Sequence, residues 1–424
     1  MFKFKKTLAC AVGAALLAAG LTACGSGQNA TDNKSDSGKE TEITYAIWDK
    51  IQQPGMQKLA DEFMKENKNV KIKVQVIPWN EYWTKMEASA NGKNLPDVFW
   101  MNGSEAARYI KADALMDLTE SYNKEKGNYP EDLVKLYSKD NKTYAIPKDI
   151  SAIGLWYNKE IFDKKGIAYP DNTWDWAKFK EVAKQLTDTE QGIYGFGAPN
   201  DTEVGYYNAI FQNGGKVLSD DKKKSELNNP ATQEALQWWA DFSLKDKSSP
   251  TVAQTAENDI RSLFASGKLA MIFDGSWVFN DNASNEYLKK NADIAVLPKG
   301  KVRATVYNGL GNAVSAYTKN KEAAVKFVEF LSSKKGMEIQ GSTATAIPAY
   351  KGADKKFVEA TKATFNTEVF SEMLEYGVLR PNGVNFNRAE STATEDLAPI
   401  FSGKSTVSDA TEKAAKDVND ILAE

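Results

Sequence analysis

The chain has 424 residues, 42% hydrophobic and 26% charged, an ordinary globular composition, and it is longer than one hydrophobic core usually supports, so two domains are expected. A formal charge of −3 without a long basic run argues against nucleic acid as a partner. There is no histidine, which removes Ser-His and Cys-His nucleophiles and His-ligated zinc from the chemistry open to the chain.

The first element in chain order is a leader. "MFKFKK" is basic and "TLACAVGAALLAAG" apolar, the layout of a secretion signal, and the run falls short of the ~20 apolar residues that span a bilayer. It ends at "LTAC", Leu21–Cys24, which resembles the bacterial lipobox. That resemblance implies cleavage before Cys24, a signal peptide of residues 1–23, and a diacylglyceryl group on the Cys24 sulfur. Each buried CH₂ of the lipid contributes about 0.8 kcal/mol to retention. The alternative is a plain secretion signal with an incidental cysteine. After Cys24, "GSGQNATDNKSDSGKE" has almost nothing to bury, so residues 24–40 form a lipid-anchored flexible linker. Cys10 lies inside the leader, so the two cysteines make no disulfide framework. Losing Lys3, Lys5 and Lys6 with the leader leaves a charge of −6.

From residue 42 the pattern turns regular. "ITYAIW" (43–48) suits a strand buried on both faces. Met56, Leu59, Ala60 and Phe63 recur at helical spacing after Pro54. "VKIKVQVI" (70–77) alternates as a half-covered strand; a helix over about 80–91, the strand "DVFW" (97–100) and a helix from Ser104 follow. This is β-α-β-α-β, the opening of a doubly wound sheet. The run 144–162, with Pro147, reads as a crossover into a second domain. Helices dominate from 174 to 245, with Thr173 or Asp175 as a cap. "LAMIF" (269–273) is a strand leading to "DGSW", and "GNAVSA" (311–316) is another. An amphipathic helix over 320–336 ends with Gly336 as its C′ residue.

In open α/β sheets, ligands bind beyond the carboxyl ends of strands. That rule points to Trp48 and Asp49 after the first strand and to Trp100 and Asn102 at the end of the third.

Five segments together, "LPDVFWMNG" (95–103), "IPKDISAIGLWYNKEIF" (146–162), "TWDWAKF" (173–179), "MIFDGSW" (271–277) and "NGLGNAVS" (308–315), resemble the extracellular sugar-binding proteins of bacterial ABC importers, the maltose-binding-protein-like solute-binding proteins. The resemblance runs over residues 41–424. It implies an α/β, two-lobed periplasmic-binding-protein fold of type II-like topology, its lobes joined by hinge strands. The implied lobes are 41–148 plus 304–345 and 149–303 plus 346–424. It also implies capture of a carbohydrate, an oligosaccharide, in the cleft between lobes, and delivery to ABC permease subunits in the membrane. No cofactor or metal is implied, and the protein is expected to be a monomer. Lipobox and leash suit members from Gram-positive bacteria, held on the extracellular face of the cytoplasmic membrane. The chain itself has no G-x-x-x-x-G-K-[ST] phosphate loop, so partner ATPases would supply the energy.

A sugar offers an apolar C–H face to aromatic rings and a hydroxyl rim to polar groups. The family pattern places a stacking ring at Trp277, with Asp274 beside it. It places polar contacts at the crossover residues Asp149 and Ser151, and at least one of Tyr206 and Tyr207 on a turn facing the cleft. Asn308 and Gly309, with Gly311, combine a polar group with close backbone approach and mark a hinge. Arg380, in "VLRPNGVNF", is a lone cation at the edge of the C-terminal lobe. Tyr157, Trp174, Trp176, Trp238, Trp239, Trp79, Tyr82 and Trp83 are assigned to packing. Two other functions fit the composition: a surface glycoside hydrolase, which needs two carboxylates about 5–9 Å apart, and a ferric-ion receptor using Tyr206 and Tyr207.

Overall fold

A computed structural model describes residues 40–424; the leader, Cys24 and the leash up to residue 39 lie outside the described residues. In chain order the strands are β1 (Thr41–Ile47), β2 (Val70–Val76), β3 (Val98–Asn102), β4 (Ser138–Lys139), β5 (Lys142–Thr143), β6 (Ala145–Pro147), β7 (Asp149–Asn158), β8 (Met271–Gly275), β9 (Ala292–Ala295), β10 (Thr305–Asn308), β11 (Leu310–Val314), β12 (Ile347–Pro348) and β13 (Gly377–Leu379). β4 and β5 form a small hairpin. The rest make two sheets, ordered β2-β1-β3-β11-β6 and β12-β7-β10-β13, with β8 and β9 added on β7. Each sheet is the centre of one lobe.

The first lobe opens as the expected β-α-β-α-β unit. β1 runs parallel to β2 from Thr41↔Val70 to Ile47↔Val76 and parallel to β3 at Tyr45↔Val98. Helix α1 (Gln53–Glu66) has Pro54 in its first turn, where the missing N–H costs nothing, and buries Met56, Leu59, Ala60 and Phe63. Helix α2 (Trp79–Asn91) follows β2, and helix α3 (Gly103–Lys111) follows β3. On one side the sheet is covered by the helix Lys321–Ser332, whose Phe327 meets the Tyr45 ring edge-on at 5.3 Å. In the second lobe the ten-residue β7 is flanked by antiparallel β8 and β9. The core there is aromatic: Phe179, Phe196, Trp239, Phe242 and Phe273 interlock with ring centroids 4.8–5.7 Å apart.

Two of the three passages between the lobes are single residues, and the third runs through 343–346. Lys148 separates β6 from β7, and Gly309 separates β10 from β11, so two neighbouring strand pairs pass from one sheet into the other. The two passages are bonded together. Lys148 N donates to Leu310 O at 2.7 Å, and Leu310 N donates to Asp149 Oδ1 at 2.7 Å. Lys148 is fully buried, paired with the Asp149 carboxylate, and its ammonium lies 4.2 Å from the Trp100 ring centroid. At Gly309 a Cβ would stand 2.4 Å from Asp149 O, so only glycine lets the passages approach this closely.

Several expectations change. The boundary at residue 304 placed Thr305–Asn308 in the first lobe, but β10 pairs with β7 and β13 in the second sheet, and the chain returns at Gly309. Gly336 does not end a helix. Ser333, in extended conformation, ends Lys321–Ser332 and caps Lys334–Ser342 by accepting from Gly336 N at 3.1 Å. Asp175 is the cap of Trp176–Leu186, whereas Thr173 bonds to Asp171. Asp149, expected as a polar ligand contact, is buried in the passage between lobes, its two oxygens bonded to Lys148 Nζ and Leu310 N.

Removing one member of a buried ion pair strands the other. Lys148→Met should therefore destabilise the protein by about 3–5 kcal/mol in urea unfolding, and Lys148→Met with Asp149→Asn should recover part of that loss. Wild-type stability in the single variant would show that the pair is not what ties the passages.

Candidate functional site

The carboxyl ends of β1 and β3 open onto a graded aromatic cluster. Trp48, half-buried, meets Trp100 at 5.0 Å, Tyr82 at 4.9 Å and Trp79 at 5.3 Å edge-on, with Trp83 tilted at 6.0 Å. The inner members are fully buried and bonded: Trp100 Nε1 donates to Tyr45 Oη at 2.7 Å, and Tyr82 Oη donates to Trp100 O at 2.8 Å. The outer members reach solvent; Trp79 is 50% exposed. Trp79 and Trp83 line a cavity of about 470 Å³ together with Asn102, Ser104 and Glu105 from β3 and α3.

The opposite wall belongs to the second lobe. Arg380, beside β13, and Asn387, Glu390, Ser391, Thr394 and Glu395, on the helix Phe386–Phe401, line the same cavity. Asn387 donates to Glu105 across it, so the lobes touch here. Arg380 bonds Glu390 Oε2 at 2.6 Å and lies 3.9 Å from Glu203 Oε2, while Asn308 Nδ2 donates to Glu203 Oε1 at 3.4 Å. Burial lifts Glu203 and Glu390 above the ordinary glutamate range, and the Arg380 charge only partly opposes it. Arg380 Nε and Glu390 Oε1 are buried without a hydrogen-bond partner among the described residues. An unpaired buried polar atom costs roughly 1–3 kcal/mol, which a ligand hydroxyl placed there would offset.

A second cavity, of about 410 Å³, lies within the second lobe beside Asp274 and Arg261. Arg261 grips the Asp274 carboxylate with two bonds, 2.6 and 2.7 Å; Asp274 is 2% exposed and Arg261 55%. The carboxyl of Asp281, on the helix Phe279–Ser284, is raised by burial and then by the charges of Asp49 and Asp274, and Arg261 is held charged by Asp274, Asp201 and Asp281.

The expected site residues divide accordingly. Asn102, Arg380 and, one layer behind, Trp48 and Asn308 stand at the cavity between lobes. Trp100 does not: as part of the central strand β3 it is covered on both faces. Tyr206 and Tyr207 are buried under the second lobe, edge to face at 5.4 Å. Desolvation raises both phenols, against the phenolate form that iron ligation requires. Asp49 turns back on the chain, accepting from Ile51 N at 2.8 Å and Gln52 Nε2 at 2.8 Å in the turn ahead of α1. Asp274 is consumed by Arg261. Ser151 pairs with Asn308 across β7 and β10, and Gly309 is the hinge. Trp277 is half-buried in a short 3₁₀ turn, its ring folded onto Gly275 where a Cβ would be 2.1 Å away; it lines neither cavity. Trp79 and Trp83 were assigned to packing, yet the carboxyl-end rule applied to β2 points at Trp79, and Trp83 follows one turn later. Glu105, Asn387, Glu390 and Glu203 carried no local signal.

Two α/β lobes joined by three short passages, with an aromatic wall facing an Arg–carboxylate cage, define a two-lobed binding protein. Residues 49–338 match the family described as bacterial extracellular solute-binding protein, and the chain belongs to that family. A putative binding protein of Brucella abortus is 27% identical over 308 residues, covering 71% of this chain and 74% of that protein. The galactooligosaccharide-binding protein of Bacillus subtilis is 25% identical over 418 residues, covering 93% and 92%. The ABC substrate-binding protein Lmo0181 from Listeria monocytogenes, solved in complex with cycloalternan, superposes with a TM-score of 0.84 at 27% identity, over 91% of this chain and 100% of that one.

Proposed function

We propose that this protein captures an oligosaccharide between its lobes and delivers it to the permease of an ABC importer, acting as a monomeric receptor and not as an enzyme. The observation that carries the reading is the cavity between Trp79 and Trp83 on one lobe and Arg380 and Glu390 on the other. Its indoles suit the C–H face of a sugar ring, and the unpaired Arg380 Nε and Glu390 Oε1 suit hydroxyls. The galactooligosaccharide-binding relative and the cycloalternan complex support a saccharide ligand. We divide the lobes at 41–148 plus 310–345 and 149–309 plus 346–424. Trp277, on a strand end of the second lobe, is kept as a further stacking ring.

Cys24 is proposed as the lipid anchor that holds the receptor outside the cytoplasmic membrane; among the described residues no helix is long and apolar enough to cross one. Cys24→Ala should move the protein from the membrane fraction to the medium with saccharide binding intact. Its retention in membranes would contradict the anchor.

Thermal-shift screening of oligosaccharides finds the ligand, since one at 100 times its Kd stabilises by roughly 2.7 kcal/mol. Calorimetric titration then tests the wall: Trp83→Ala and Trp277→Ala should each weaken binding by about 2 kcal/mol or more, while Trp277→Phe keeps part of the affinity. Unchanged affinity with a lowered apo melting temperature would make that ring a packing residue.

A further inference from the structure

Each cation lining the two cavities is engaged by a carboxylate, and carboxylates outnumber cations on both linings. Glu105, Glu390 and Glu395 line the cavity between lobes beside Arg380; Asp201, Asp259 and Asp274 line the second-lobe cavity beside Arg261. Among the described residues, these two guanidiniums are the only cations on either lining. Arg380 is held by Glu390 and faces Glu203; Arg261 is held by Asp274 in a two-bond grip. Asp201 and Asp281 add further carboxylates whose charge acts on Arg261.

From this geometry we infer that the cleft is a charge filter, admitting neutral or amino-bearing saccharides and rejecting those that carry carboxylate or phosphate groups. The inference rests on the saccharide reading above. An anion seated on Arg380 would compete with Glu390 and Glu203 for one guanidinium, while the incoming charge faced Glu105 and Glu395. Like-charge juxtaposition at a desolvated contact is strongly disfavoured. A hydroxyl carries no charge to be repelled, and an ammonium is attracted by Glu105 and Glu395.

The test is calorimetric titration of the full chain, at physiological ionic strength, with maltotetraose, galactotetraose, tetraglucosamine and tetragalacturonate. The expected result is that tetragalacturonate binds at least roughly tenfold more weakly than the best of the other three. Glu395→Lys, at an exposed position, should narrow that gap. The double variant Glu203→Gln with Glu390→Gln, which frees Arg380, should raise affinity for tetragalacturonate; should it fail to fold, Glu395→Lys and the wild-type comparison still decide. Tetragalacturonate binding as tightly as the others, or alone, would overturn the filter while leaving the saccharide reading standing. Binding of none of the four would overturn both.

Discussion

Lys148 and Asp149 are adjacent in the chain, opposite in charge and buried together where the chain leaves one sheet for the other. Aliphatic side chains there would pack equally well in several registers; an ion pair with directional partners does not. The Asp149 carboxylate fixes Leu310 N, and Lys148 rests on the Trp100 ring. The Lys148 carbonyl accepts from Gln340 Nε2 at 2.8 Å, and Tyr137 Oη holds Gly309 O at 2.7 Å. Both strand passages are thereby locked to each other and to the first lobe, so a movement of the second lobe would turn about them. Lobe closure of this hinge type, absorbed by a few backbone positions, is a common answer to ligand capture.

The same arrangement explains why Trp100 is core and Trp79 is wall. β3 is the middle strand of its sheet, so its end is covered and its indole becomes a floor for Lys148. β2 is the edge strand, so the helix that follows it begins in the open. The cluster between them, Trp48 with Tyr82 and Trp83, transmits the rigidity of the sheet to the exposed rings. A preorganised aromatic surface loses little on binding, which is how a shallow stacking contact gains affinity.

Much of this was legible along the chain. The alternation of 70–77, the helical spacing of Met56 to Phe63 and the strand run at 97–100 each reported a local period, and the first lobe follows them. The carboxyl-end rule points to Trp48 and Asn102 at the cavity, but equally to Asp49, which turns back on the chain, and Trp100, which is buried; at the end of β2 it points to Trp79. What was not legible depends on partners far apart in sequence. Nothing near Arg380 announces Glu203, and nothing near Asn387 announces Glu105; those pairings exist only once the second lobe has folded. Asp274 and Asp149 looked like free carboxylates because the cations that consume them, Arg261 and Lys148, have no motif. Tyr206 and Tyr207 looked exposed because a turn precedes them, although the helix behind carries them inward.

The two lobes are expected to close on a saccharide around the hinge at Lys148 and Gly309. Small-angle X-ray scattering of the same protein with and without a saturating oligosaccharide shown to bind by calorimetry tests this closure most directly. The account predicts a smaller radius of gyration in the liganded sample. An unchanged radius with binding demonstrated would contradict closure about this hinge.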